Sequence, residues 1–147
     1  MKNCKDCRGQ CCQRMPGCVD PNDLGKAQEE IMLQVQRLIG TGKYYLNYWE
    51  GDYPGAEGKT AYFLMPAVRG EEGEVVKGTW GGPCTFLRYD GCSLSYEERP
   101  RECRALNPVE KPVDPEVECE CDWSKHDAIK AWLPYLDALK TVITTMR

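Results

Sequence analysis

The sequence predicts a small metal-stapled α+β domain with two main helices, short antiparallel strands and irregular cysteine-bearing loops. Three observations carry that expectation. Apolar residues recur at three- and four-residue intervals in two stretches, one on either side of the chain's middle. Short β-favouring runs sit between turn signals in residues 51–83, which hold eight of the fourteen glycines. Ten cysteines occur in 147 residues, more than a reduced intracellular protein of ordinary composition carries. The length suits one domain, residues 1–147, and 41% apolar with 29% charged residues fits neither a disordered tail nor a fibrous repeat.

Residues 1–18 contain half of the cysteines, and Gly9, Pro16 and Gly17 mark turns, so the segment reads as a ligand-bearing loop. Asp20 is then expected to cap a helix with Pro21 at its first position and Asp23 in its first turn. Leu24, Ala27, Ile31, Val35 and Leu38 give that helix its apolar face, and Gly40 is its expected stop. Ala61–Met65 is predicted as a strand and Glu74–Lys77 as a weaker one. Tyr44, Tyr45, Tyr48 and Trp49 are placed to pair with them, since aromatics suit a half-buried pleated surface. Residues 107–118 hold Pro108, Pro112 and Pro115 and read as an extended tether returning the chain to Cys119 and Cys121. Ser124 with Asp127 three residues on is a capping-box start. Ile129, Trp132, Leu133, Leu136, Leu139, Ile143 and Met146 follow on one face, and Pro134 should kink or divide the helix.

Composition also excludes functions. No run of about 18 apolar residues is available to cross a membrane, and the opening residues lack the apolar stretch of a signal peptide, so a cytoplasmic protein is expected. The net charge of −4 argues against a nucleic-acid coat. Residues 1–18 carry four basic residues against one acid, leaving that end at +3, where the positive charge can offset thiolates.

In a reducing compartment, close cysteine spacings point to metal or catalytic sites before disulfides. Cys4 and Cys7 are separated by two residues, and Cys11-Cys12 follows after Arg8-Gly9-Gln10. Repulsion among clustered thiolates is relieved by a cation or an iron–sulfur core. Neighbouring side chains in extended backbone point to opposite faces, so Cys11 and Cys12 serve two ions or flank a polynuclear cluster. Cys84, Cys92 and Cys103 form a second group, within Cys84-Thr85-Phe86-Leu87-Arg88-Tyr89-Asp90-Gly91-Cys92 and Arg99-Pro100-Arg101-Glu102-Cys103-Arg104.

The order C-x2-C-x-G-x-C-C, then C-x-F-L-x4-C, then R-P-x2-C-R, resembles the YkgJ-type CxxCxxCC cysteine-cluster family, described as zinc- or iron-chelating. The resemblance covers both ends of the chain and not its middle. It implies eight metal-ligating positions: Cys4, Cys7, Cys11, Cys12, Cys84, Cys92, Cys103 and Cys121, the last directly before a helix start. The chain has one residue more than the family pattern between Cys92 and Arg99, so a repacked turn is expected there. Cys18 and Cys119 fall outside the pattern. Eight thiolates would divide into two closed tetrahedral Zn2+ sites of structural type. Alternatively, four of them hold one [4Fe–4S] cluster, since both metals accept soft sulfur ligands tetrahedrally.

Two other features bear on chemistry. His126, the only histidine, is expected on the solvated surface of the last helix, with replacement of a thiolate as the alternative. Arg99, Arg101 and Arg104 read either as an anion clamp or as donors to cysteine sulfurs, while Glu97, Glu98 and Glu102 weaken the anion reading by cancelling charge. No phosphate loop, Ser-His-Asp set or dinucleotide fingerprint is visible. The expected function is therefore a metal-binding module that handles metal or engages a protein partner. A redox or methyl-transfer enzyme is the alternative, because flagellin lysine methylase carries a similar cysteine cluster. A nucleic-acid binder, stacking bases on Tyr or Trp, fits the acidic remainder least.

Overall fold

Strand β1 (Tyr44–Trp49) and strand β2 (Ala61–Pro66) pair antiparallel in continuous register from Tyr44↔Pro66 to Trp49↔Ala61, as the aromatic and β-favouring runs predict. The computed structural model describes residues 15–50, 60–79, 81–89, 91–104, 106–107, 120–121 and 123–147. The mean strand pattern is not the alternation of a half-exposed sheet. Tyr44 to Asn47 and Phe63 to Pro66 are buried on both faces, which requires cover from more than one side.

That cover is helical. Helix α1 (Gln28–Gly40) packs on β1, and helices α3 (Lys125–Trp132) and α4 (Leu136–Met146) pack on β2, with α1 also against α4. Ile31, Met32, Val35 and Ile39 of α1 meet Ile129, Trp132, Leu136, Leu139 and Ile143 in the same buried cluster as the hairpin. The outer edges of the hairpin are met by irregular chain. Leu46 donates to Val75 O at 2.9 Å and accepts from Lys77 N at 2.9 Å, while Leu64 O accepts from Val19 N at 2.9 Å. The predicted strand at 74–77 is thus reduced to a single parallel bridge, Leu46↔Val76.

Polar groups inside this core are satisfied, as burial demands. The Trp132 indole donates to Val19 O at 2.8 Å. The Tyr45 hydroxyl donates to Glu71 at 2.7 Å and accepts from Val68 N at 3.2 Å. Asn47 accepts from Tyr48 N at 2.8 Å and from Thr79 N at 3.3 Å, and donates to Thr79 O at 3.3 Å.

The first helix departs from expectation at both ends. Asp20 caps a short 3-10 turn, Pro21–Asp23, accepting from Asn22 N at 3.0 Å, and the α-helix proper starts only at Gln28. The chain doubles back at Gly25, where a Cβ would lie 2.7 Å from Glu30 Cβ; a side chain there would collide with the helix it precedes. At the other end Gly42, at φ +80°, takes the left-handed conformation that ends the helix, and Gly40 remains its last turn. The buried face accordingly shifts to include Met32 and Ile39, leaving Ala27 exposed and Leu24 and Leu38 half-buried.

The last helix follows the prediction closely. Ser124 and Asp127 form the reciprocal capping box, with Asp127 N to Ser124 Oγ at 3.4 Å and Ser124 N to Asp127 Oδ2 at 2.8 Å. Pro134 divides it through a 3-10 turn, Leu133–Tyr135, into α3 and α4. Three further short elements complete the chain order: the strand pair β3 (Leu87–Arg88) and β4 (Gly91–Cys92), the single-turn helix α2 (Arg101–Arg104), and the strand pair β5 (Leu106–Asn107) and β6 (Glu120–Cys121). The tether predicted at 107–118 lies outside the described residues except for Asn107, which pairs with Glu120. No helix among the described residues is long and apolar enough to cross a membrane.

Two glycine substitutions test the helix boundaries with opposite signs. Gly25→Ala should lower the unfolding free energy by about 1–3 kcal/mol, the usual cost of overpacking. Gly40→Ala, whose methyl would meet nothing within 4 Å, should raise it by about 0.5–1 kcal/mol. Urea unfolding followed by circular dichroism measures both.

Candidate metal centre

Cys84, Cys92 and Cys103 enter the same region from different elements. Cys84 is fixed by its backbone to the chain that leaves β2: it bridges Val68, Arg69 N donates to Pro83 O at 2.7 Å, and Thr85 N donates to Ala67 O at 2.9 Å. The Arg69 guanidinium closes the turn by donating to Leu87 O. β3 and β4 then return Cys92 opposite Leu87, and Cys84, Leu87, Phe86 and Cys92 pack as one small apolar cluster. Gly91, at φ +126°, permits the tight reversal between the strands.

Cys103 arrives on α2. Its sulfur would lie only 2.5 Å from a Cβ on Gly17, so the residue that the sequence marks as a turn former is also the one whose missing side chain lets α2 dock. The three thiols share a neighbour in Tyr44 at the start of β1. Burial pushes the Tyr44 hydroxyl up to about 12, and Cys84, Cys103 and Cys92 add to the push, which puts all three within electrostatic reach of one phenol.

Cys18, Cys84, Cys92 and Cys103 stand as thiols. Cys4, Cys7, Cys11, Cys12 and Cys119 lie outside the described residues, and Cys121 is described by its backbone alone, paired with Leu106 two residues beyond α2. Among the described residues, no three His, Cys, Asp or Glu side chains stand together as a group that could hold a metal ion.

Cys18 is a core residue. It is wholly buried, and burial pushes its thiol well above the ordinary range, with Lys125 opposing and Glu102 reinforcing the effect. Around it is a polar group that sequence reasoning did not identify. Glu102 accepts from Cys18 N at 2.7 Å and, through its own backbone N, donates to Cys18 O at 3.2 Å. Lys125 donates to Glu102 at 3.3 Å and to Pro16 O at 3.3 Å, with Cys18 Sγ at 3.9 Å. Burial lowers Lys125, but Cys18, Glu102 and Cys103 together more than offset it and hold its ammonium above the ordinary value. One sequence signal was available: Lys125 is the first residue of α3, where a cation opposes the helix dipole and needs another reason to be there.

Among the described residues, the arginines have partners other than cysteine sulfurs. Arg101 pairs with the buried Asp20 at 2.6 Å and lies over the Trp123 ring at 5.0 Å. Arg104 pairs with Asp23, and Arg99 donates to Leu94 O at 3.2 Å. Their carboxylate partners belong to this chain, so they lash α2 to the 3-10 turn at 21–23. Beyond Cys92 the chain forms a 3-10 turn, Tyr96–Glu98, with a capping box in which Ser95 Oγ donates to Glu98 at 2.7 Å. His126 is on the exposed side of α3, its ring 6.0 Å from that of Trp49, the surface position expected for it.

Lys125→Met removes the cation from a mostly buried carboxylate and carbonyl and should cost about 1–3 kcal/mol. Adding Glu102→Gln should recover part of that loss, giving a coupling of about 1 kcal/mol in a double-mutant cycle. Additive losses would show that the two side chains do not interact. No family model, curated protein or solved structure matches this chain.

Proposed function

We propose that the protein is a metal-binding module in which Cys4, Cys7, Cys11, Cys12, Cys84, Cys92, Cys103 and Cys121 hold zinc in two four-thiolate sites. The observations that support this reading are the packing of Cys84 with Cys92 around the β3–β4 turn and the electrostatic influence that both, with Cys103, exert on the Tyr44 phenol. Two of these thiols are half-buried and one is buried, so they are shielded without being sealed in an apolar core. Their donor chemistry fits zinc: soft sulfur, with the Lys125 ammonium close enough to Cys103 to offset thiolate charge. The resemblance of the amino-terminal cysteines to the CxxCxxCC pattern supplies the remaining ligands, and the pairing of Cys121 with Leu106 returns that ligand to the strand that follows Cys103.

The module's role is to bind, either delivering metal or presenting a metal-braced surface to a protein partner. Closed tetrathiolate sites leave no open coordination position for substrate, which favours a structural use of the ions. Bound zinc would contribute folding energy directly, on the order of 10 kcal/mol per site.

Anaerobic purification followed by metal and sulfide analysis tests the reading. The expected result is a colourless protein with about two zinc ions per chain that unfolds when chelator is added. Cys84→Ser and Cys103→Ser should each lose metal, whereas Cys18→Ser, which changes a core thiol, should keep it. Full metal content in the first two variants would overturn the assignment. Iron with acid-labile sulfide would replace zinc by a [4Fe–4S] cluster and turn attention to redox or methyl-transfer chemistry.

A further inference from the structure

A cleft of about 470 Å3 opens between the carboxyl end of α1 and residues 94–100. Its size falls within the roughly 300–1,000 Å3 of small-molecule sites. Tyr44 and Phe86, with ring centroids 5.6 Å apart, line it together with Leu38. These two rings also border the thiol region, since Phe86 packs on Cys84 and Cys92 and Tyr44 senses all three thiols. They form a partition, and the thiols themselves are not among the cleft's lining residues.

The charged lining is divided by origin. Arg37 and Lys43 come from the end of α1 and the turn into β1, whereas Glu97 and Glu98 come from the 3-10 turn opposite. Other ionic groups of the lining are engaged: Asp23 is paired with Arg104, and Arg99 donates to Leu94 O. Among the described residues Arg37 uses its Nε, on Gln34 at 2.7 Å, and its terminal nitrogens make no hydrogen bond or ion pair. One Glu98 oxygen is committed to Ser95. The Lys43 ammonium and the Glu97 carboxylate make no hydrogen bond or ion pair among the described residues. Donors for an anion and acceptors for a cation therefore flank one aromatic and aliphatic floor.

We propose that this cleft binds a small zwitterion with an apolar body, of the chemical class of a free amino acid or dipeptide. Its carboxylate would meet Arg37 and Lys43, its ammonium Glu97 and Glu98, and its side chains Leu38, Tyr44 and Phe86. A purely anionic ligand would bring its charge to the same cations but leave the acids facing it uncompensated, and a purely cationic one would do the converse. The assignment is independent of which metal the cysteines hold.

Calorimetric titration of the full-length protein, as isolated, with leucylphenylalanine and its two capped forms tests it. The free dipeptide should bind with a stoichiometry of one, and the amino-acetylated and carboxy-amidated forms should each bind at least about tenfold more weakly, the equivalent of about 1.4 kcal/mol. Glu97→Lys, at an exposed position, should weaken the free dipeptide and leave the acetylated form unaffected or tighter. Arg37→Gln should weaken the free dipeptide and leave the amidated form unchanged. Leu38→Trp, which fills the cleft, should abolish binding of all three. No saturable heat with the free dipeptide at millimolar concentration overturns the proposal, as does equal binding of the free and acetylated forms. Indifference to Glu97→Lys does so even if the Leu38 variant fails to fold.

Discussion

A buried stretch of chain without regular structure holds this fold together. Residues 16–21 are all inaccessible, and a loop can be buried only if its peptide groups find partners. Each neighbour supplies some. Val19 offers its N–H to the edge of β2 and its carbonyl to the Trp132 indole. Cys18 exchanges two hydrogen bonds with Glu102, and Pro16 O receives Lys125. Asp20 takes the Arg101 guanidinium. The hairpin, α2 and α3 are thereby all joined to one segment, and its position constrains where Cys103 can lie.

This dependence explains which parts of the structure were legible in the sequence. Periodicity recovered α1, α3 and α4 because their burial is a matter of one face. The pairing of Tyr44–Trp49 with Ala61–Met65 was visible as two β-favouring runs, and Ser124 with Asp127 and Pro134 announced their effects through local chemistry. Asp20 misled because its capping oxygen serves a 3-10 turn while its other oxygen serves Arg101, 81 residues away. Gly17 was read by turn propensity, yet its requirement is steric and is set by Cys103, as that of Gly25 is set by Glu30. Nothing local marks residues 16–21 as interior. Its one cysteine, Cys18, which the resemblance leaves outside the ligand set, belongs to the core.

The same long-range pairing shapes the electrostatics around the thiols. Arginines beside cysteines suggest thiolate neutralisation when only the sequence is read. In the folded chain Arg101 and Arg104 pair with Asp20 and Asp23, and Cys18 and Cys103 act on the ammonium of Lys125, from a helix 21 residues beyond α2. The charged partners of this region are therefore brought together by tertiary structure. The aromatic pair Tyr44 and Phe86 then separates that centre from a cleft with quite different chemistry, so one small domain can keep soft sulfur donors and hard ionic groups within a ring's width of each other.

The contact between Val19 and Leu64 has a further consequence for the chain in company with its copies. β2 carries Ala61 to Pro66, nearly all apolar, and a bare edge of such a strand is a template for pairing with another chain. The segment at 16–21 occupies that edge. Loosening it by loss of the Asp20–Arg101 or Glu102–Lys125 contacts would disturb the thiols and, in the same event, expose a surface suited to edge-to-edge association. The bonds that position Cys103 are thus also a guard against self-assembly.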